Sequence, residues 1–396
     1  MLAINGGEPV SKEWIYLTKP LIGQEERDEV MDTLDSVWLS RGPKVTIFEN
    51  KFAEYMEVPY AVATSSCTAS LHISNVAAGV KDGDEVITSP ITFPATANAI
   101  VYERAKPVFV DVDPKTFNID VSKIEEKITE KTKAIVPVHI AGQSADMDEV
   151  LALGKKYGIK IIEDSAHGAG AYYKGKHLGS IGDAGCFSLY ASKNITTGDG
   201  GMITVREDGK FAEFCRVLSL HGISSGAWKR YSKEGSPNWE LIYPGFKYSL
   251  TDIQAAIGIH QVPRIDMITA GRTKWANTYK ELLKDVEEIT LPYVAPDRTP
   301  NWHLFILKLN LELLKYTRDE IFQMLKAENI GAGIHFVSVH KQPWYQKTFD
   351  LKDEDYPVAT WLSDRLISLP LFPQMTENEV ELVVKGVKKV LDYARK

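Results

Sequence analysis

The chain is poor in cysteine, with only Cys67, Cys186 and Cys215 in 396 residues. The three are far apart and odd in number, so they make neither a disulfide framework nor a CxxC metal site, and a reducing cytoplasm fits them best. No apolar run reaches the roughly 18 to 20 residues that span a bilayer, which argues against a membrane protein. The start, Met1-Leu2-Ala3-Ile4-Asn5-Gly6-Gly7, lacks the basic residues and apolar stretch of a signal peptide. The net charge is −7, both signs are interspersed and no long basic block occurs, so nucleic acid is not an expected partner. G-x-S-x-G, Walker A and G-x-G-x-x-G elements are all missing, and hydrolase, nucleotide triphosphatase and dinucleotide-binding readings lose their key parts. Internal repeats and low-complexity tracts are absent too.

What is present is an ordinary globular composition, 44% hydrophobic and 25% charged, in a chain longer than single cores usually grow. Two domains are therefore expected, residues 1–250 and residues 251–396. Between about residues 60 and 220, β-branched runs alternate with helical patterns. Strands are expected at 60–64, 85–88, 106–112, 134–138 and 159–163, with helices at 68–76, 96–103, 121–128 and 147–157. Near-continuous apolar strands separated by helices predict an α/β domain with a mostly parallel sheet covered on both faces. Ligands bind such sheets beyond the carboxyl ends of the strands. After residue 250 the pattern changes to a long helix over 251–283, strand-like pieces at 303–309, 333–337 and 367–371, and helices at 318–328 and 377–393. This predicts a smaller α+β domain.

Lys193 follows an apolar β-like run, lies five residues after Ser188 and precedes the bend at Gly198, Gly200 and Gly201. Asp164 ends a buried-looking strand upstream. A lysine that can form a Schiff base and an acid that can keep a pyridine nitrogen protonated are the parts needed to hold pyridoxal phosphate. Taken alone, Lys193 reads as a solvated charge and Asp164 as a helix cap. Their combination with a serine able to reach a phosphate carries the cofactor reading. His167 is either a satisfied core histidine or a partner of the cofactor's ring hydroxyl. Ser65-Ser66-Cys67-Thr68, between a strand and a helix, is either a plain capped start or a phosphate site on the positive helix end. Phe93 is either core or a stacking surface for a flat ring. His335 and His340, five residues apart with no acidic cluster, do not make a metal site and leave pocket lining open.

The ordered set Trp38-Leu39-Ser40-Arg41-Gly42-Pro43-Lys44, Thr92-Phe93-Pro94, Gly142-Gln143-Ser144-Ala145-Asp146, Glu163-Asp164-Ser165-Ala166-His167, Ser188 to Gly201, Gly245-Phe246-Lys247-Tyr248-Ser249, Trp302-His303-Leu304-Phe305 and Leu369-Pro370-Leu371-Phe372-Pro373 resembles the DegT/DnrJ/EryC1/StrS group of sugar aminotransferases nearly end to end. Within that group it looks most like the UDP-4-amino-4-deoxy-L-arabinose branch. The resemblance implies pyridoxal phosphate fold type I, like aspartate aminotransferase, and amination of a nucleotide-linked 4-ketosugar with L-glutamate as donor. It also implies a cytoplasmic homodimer with shared active sites, acting in glycan synthesis. By motif position it puts Lys193 on the cofactor aldehyde, Asp164 on the ring nitrogen and His167 at the ring hydroxyl. Cys67, Thr68 and Ser188 fall at the phosphate, and Phe93 on the ring face, where the branch has tryptophan. Lys247 and Ser249, the latter standing where the branch has asparagine, would reach the neighbouring subunit's phosphate. Ser40, Lys44 and His335 are candidates for holding the sugar nucleotide. Rival expectations are a 3-ketosugar aminotransferase, a dehydratase of the same fold, which would carry histidine for the lysine, and a non-catalytic regulator, which would have no need of the intact set.

Overall fold

A computed structural model describes residues 1–224 and 239–396. Residues 24–35 and 43–55 form helices α1 (Gln24–Asp35) and α2 (Pro43–Tyr55). An α/β run follows: β1 (Tyr60–Thr64), α3 (Cys67–Ala77), β2 (Glu85–Thr88), α4 (Pro94–Val101), β3 (Lys106–Phe109), β4 (Thr132–Val136), α5 (Met147–Tyr157) and β5 (Lys160–Asp164). Two short strands, β6 (Tyr172–Tyr173) and β7 (Lys176–His177), precede β8 (Ala184–Ser188), β9 (Gly201–Val205) and α6 (Gly209–Ser219). The large sheet has the order β1-β9-β8-β5-β4-β2-β3. Its pairings from β8 to β3 are all parallel, and β9 is antiparallel to both of its neighbours. The expected mostly parallel sheet is thus present. Its strands are near-continuously buried, as covering on both faces requires: Ile161, Ile162, Val136 and Ile203 are all core residues.

The stretch 121–128, expected as one helix, is two single 3-10 turns, Val121–Lys123 and Glu125–Lys127. The side chain of Asp120 accepts the N–H of Ser122 and closes the first turn locally. The long helix expected over 251–283 is also divided. It runs as α7 (Asp252–Gln261), a 3-10 turn at Val262–Arg264, and α8 (Ile265–Leu283). Pro263 sits in that turn, where its ring removes an N–H and clashes with the preceding turn of an α-helix. Thr251 and Gln254 start α7 with a reciprocal capping box.

The C-terminal part contains β10 (Ile289–Thr290), β11 (Arg298–Thr299), β12 (Phe305–Leu309), α9 (Arg318–Ala327), α10 (Pro343–Phe349), α11 (Pro357–Ser363), β13 (Leu366–Leu369) and α12 (Glu377–Ala394). An antiparallel sheet of order β10-β12-β13 packs under α8, α9 and α12 through Trp275, Tyr279, Phe305, Ile321 and Val383. The segment 333–337 is not a strand; it meets the sheet through a backbone bridge from Gly333 to Ser368 and a bond from the His335 ring to the Ser368 hydroxyl. The N-terminal Leu2 and Ile15 belong to this same core, and Ile15 bridges to Ile330. The first residues therefore pack with the C-terminal sheet, although the sequence grouped them with the large one. Among the described residues no helix is long and apolar enough to cross a membrane.

Candidate active site

The strand ends of the large sheet open into a cavity of about 530 Å³ that the C-terminal sheet closes from the other side. Its lining includes Ser66, Cys67, Thr68, Phe93, Thr96, Asp164, His167, Ser188, Lys193, His303 and His335. β5 and β8 pair in parallel, with Asp164 opposite Cys186, and this brings the ends of both strands to one place. β9 lies against the start of α3: a Cβ on Gly201 would fall 2.4 Å from the backbone of Ser66, so only glycine permits this approach. The sequence thereby gathers residues from four segments around one void.

Lys193 sits in the bend after β8, its N–H bonded to the carbonyl of Tyr190 at 2.9 Å. Its side chain is half-buried, open to the cavity and otherwise surrounded by protein. Burial pushes its amine down to about 8, and the nearby Cys67 and Asp164 resist the shift without cancelling it. About a tenth of the amine is therefore neutral at pH 7, where an ordinary lysine has almost none.

Asp164 is 4% exposed. One oxygen accepts the Thr96 hydroxyl at 2.6 Å and the other the N–H of Ala166 at 3.1 Å. Burial raises its carboxyl above the ordinary range, while those two bonds and the charges of Lys193 and His139 act the other way. Glu163, beside it, is instead fully occupied by the N–H groups of Gly179, Ile181 and Gly182 and by His139. Asp164 is thus the acid left to face a ligand.

His167 accepts the N–H of Ala141 on Nδ1 at 3.2 Å. Nδ1 is then the acceptor and the ring proton lies on Nε2, available to donate. Burial, with Lys193 beside it, holds the ring well below its ordinary pKa, so it stays neutral. His303 packs against it with centroids 4.3 Å apart and the rings tilted by 36°, and bonds Asn194 at 3.2 Å.

At the start of α3 the Ser66 hydroxyl accepts the N–H of Ala69 at 3.1 Å. Ser66 is therefore the cap. The remaining first-turn N–H groups have no acceptor within the helix, the arrangement that receives phosphates. Cys67 and Thr68 line the cavity there, as does Ser188 across the sheet. Phe93 lines it from the start of α4 and is 61% exposed. His335 lines it too, bonding Ser368 at 2.9 Å, and burial lowers it to about 4. His340 is elsewhere, buried between Ser338 and Thr360.

Four candidates lie outside the cavity of the single chain. The Lys44 amine is committed to Glu29 and Asp32, both at 2.7 Å. Ser40 is exposed, and its carbonyl accepts the N–H of Asp252 at 2.9 Å. The 38–44 stretch is thus an anchor between α1, α2 and α7 in this chain, with no contact to the cavity shown. Lys247 bonds Ser249 at 3.1 Å on an outer strap that Ser65 ties down through the carbonyl of Tyr248. Thr18, Thr96 and His303 are among the lining residues to which the sequence reading gave no role. The i, i+4 pair Thr92 and Thr96, bonded to each other at 2.6 Å beyond a strand end, was the available signal for Thr96. His303 stood in the Trp302-His303-Leu304-Phe305 motif just before an apolar strand, but nothing there gave it a role.

The donor set fits pyridoxal phosphate. A buried carboxylate with no cationic partner among the described residues suits a protonated ring nitrogen, the α3 start suits a phosphate, and a lysine of depressed pKa suits an aldehyde. Such a site on such a sheet defines an aminotransferase-type enzyme. Comparison with known proteins agrees. The model of the DegT/DnrJ/EryC1/StrS aminotransferase family matches residues 20–388, and the chain belongs to that family. It is an aminotransferase, and pyridoxal phosphate is its cofactor. It is 49% identical to an uncharacterized protein of Methanocaldococcus jannaschii over 95% of this chain and 97% of that one. It is 46% identical to the spore coat polysaccharide biosynthesis protein SpsC of Bacillus subtilis over 95% of this chain and 96% of SpsC. Among solved structures, the putative sugar aminotransferase Spr1654 of Streptococcus pneumoniae, known in PLP and PMP forms, superposes with a TM-score of 0.88 at 30% identity. That superposition covers 96% of this chain and 98% of Spr1654 in the PMP form.

Proposed function

We propose that the chain aminates a nucleotide-linked 4-ketosugar with L-glutamate as donor, in the synthesis of a surface polysaccharide or related glycan. The observation that carries the reading is the meeting of Lys193, Asp164 and the α3 start in one cavity. When bound, pyridoxal phosphate supplies an electron sink for the electrons released at the donor's α-carbon. Asp164 holds the ring nitrogen protonated, and His167 donates from Nε2 toward the ring hydroxyl oxygen. The α3 start, with Cys67 and Thr68, and Ser188 hold the phosphate, and Phe93 offers its ring as a stacking surface. Lys193 would hold the aldehyde, and its amine, when free and neutral, would take the α-proton of the donor and in the second half of the cycle deliver a proton to the sugar carbon. His335 is the lining residue we assign to the sugar. The similarity to SpsC supports a polysaccharide role, and the similarity to Spr1654 a sugar substrate.

The same reading includes a cytoplasmic homodimer, with Lys247 and Ser249 serving the partner's phosphate. Exposed apolar side chains on and beside α1 and α2 support it: Met31, Leu34, Val37 (91% exposed), Leu39 and Ile47. Three buried, unpaired cysteines suit a reducing compartment.

The test incubates the enzyme with glutamate and matched 3-keto and 4-keto nucleotide sugars, then identifies products by mass and NMR. Amination at C4 is expected. Amination of 3-keto substrates alone would overturn the C4 assignment and leave the class intact.

A further inference from the structure

Arg272, in α8, is 1% exposed. Burial lowers its guanidinium to about 9, which still leaves it charged at neutral pH. An enclosed cation of this kind is normally matched by a carboxylate. Among the described residues, however, its polar partners are three carbonyls and one hydroxyl. Nη1 donates to the carbonyls of Leu371 (2.8 Å), His303 (3.1 Å) and Trp302 (3.3 Å). Nη2 has only the Thr18 hydroxyl at 3.4 Å, and Nε has no partner at all. Carbonyl dipoles offset part of the charge but bring no negative ion.

Three of these four partner residues, Thr18, His303 and Leu371, line the cavity that holds Lys193. The uncompensated charge therefore stands directly behind one cavity wall. Thr18 is the point where it can be relayed. An oxygen that accepts from Arg272 keeps its own O–H free to donate, and the donation is strengthened when the receiver is an anion. Of the other ionisable lining, His167, His303 and His335 are held neutral by burial, Lys193 is assigned to the cofactor aldehyde and Asp164 to the ring nitrogen, and Asp199 is an acid that would repel an anion.

We propose that Thr18, backed by the buried guanidinium of Arg272, is the seat of the amino donor's carboxylate. Thr18 touches the donor, and Arg272 is a positioning residue acting through it. This inference rests on the aminotransferase reading and adds to it the means by which a carboxylate-bearing amine is chosen. The phosphate of the cofactor is already provided for at the α3 start, and a single hydroxyl donor matches one carboxylate oxygen. A nucleoside diphosphate is the rival source of negative charge.

The test uses holoenzyme and the variants Thr18→Val, Thr18→Ser and Arg272→Met. Three quantities are read: the concentration dependence of conversion of the cofactor to its amine form by L-glutamate, calorimetric binding of succinate as an unreactive carboxylate, and binding of UDP as a nucleoside diphosphate. Thr18→Val should weaken both glutamate and succinate about tenfold, with the limiting rate of conversion little changed. Thr18→Ser should restore wild-type affinity, Arg272→Met should lose at least as much as Thr18→Val, and UDP binding should not move. Thr18→Val within twofold of wild type for both carboxylates overturns the proposal, and so does an equal loss of UDP binding. If glutamate leaves the wild-type cofactor unconverted while Thr18→Val still weakens succinate, the carboxylate seat stands and the donor reading falls.

Discussion

The chemistry of Lys193 follows from its surroundings more than from its identity. Enclosure lowers its pKa to about 8 because the charged amine loses hydration that Asp164 and Cys67 only partly replace. Covalent capture of the cofactor needs the neutral amine. In cofactor-free protein the rate of capture should therefore rise with pH and level off above about 8. An amine with an ordinary lysine pKa would keep climbing toward about 10.4. Absorbance followed by stopped flow over pH 6 to 11 reads this directly, and a plateau delayed to the ordinary range would contradict the burial argument. Thr96 offers a second residue-level test. Thr96→Val keeps the shape and removes the 2.6 Å bond that helps Asp164 stay ionised. We expect about tenfold weaker retention of the cofactor, with Thr96→Ser restoring it, measured by equilibrium titration. Asp164 was legible in the sequence because it ends an apolar strand. Thr96 was not, because its partner is 68 residues away and only the parallel packing of β2, β4 and β5 brings the two together.

At the scale of elements, α2 is held to α7 by one carboxylate. Asp252 accepts the N–H groups of Gly42 (2.8 Å), Lys44 (3.0 Å) and Val45 (3.0 Å), so a residue of α7 caps the start of α2. A Cβ on Gly42 would lie 2.6 Å from that carboxylate, which explains the glycine. Asp252→Ala would leave three N–H groups without acceptors and should destabilise the fold by about 2–4 kcal/mol, read from urea unfolding. A change under about 0.5 kcal/mol would show that water replaces the carboxylate at no cost. This clamp gives the 38–44 stretch a role within its own chain that a reading by motif did not anticipate. Its polar residues are spent on joining elements, a use that sequence spacing does not distinguish from ligand binding. Strongly periodic elements such as α5, α9 and α12 were legible from apolar spacing. The two 3-10 turns at 121–127 and the break at Pro263 were not, because local hydrogen bonds and one ring override a pattern that is helical on average.

At the scale of the whole molecule, the two sheets meet around one cavity, and the active centre depends on both: Asp164 and Lys193 come from one side, His303 and His335 from the other. The strap carrying Lys247 and Ser249 lies outside that cavity, so its proposed role needs a second copy. Mixing Lys193→Ala with a variant altered at both Lys247 and Ser249 should recover part of the activity in heterodimers, each of which rebuilds one complete site. No recovery, with mixed dimers verified by native mass spectrometry, would assign the strap a role within its own chain. The central claim is that Lys193 carries the cofactor and gives it up to an amino donor. Borohydride reduction followed by peptide mapping, done before and after addition of L-glutamate, tests both halves at once. The account predicts a cofactor-labelled peptide containing Lys193 before glutamate and loss of that label after it. Label on any other lysine, or label on Lys193 that glutamate does not remove, would contradict it.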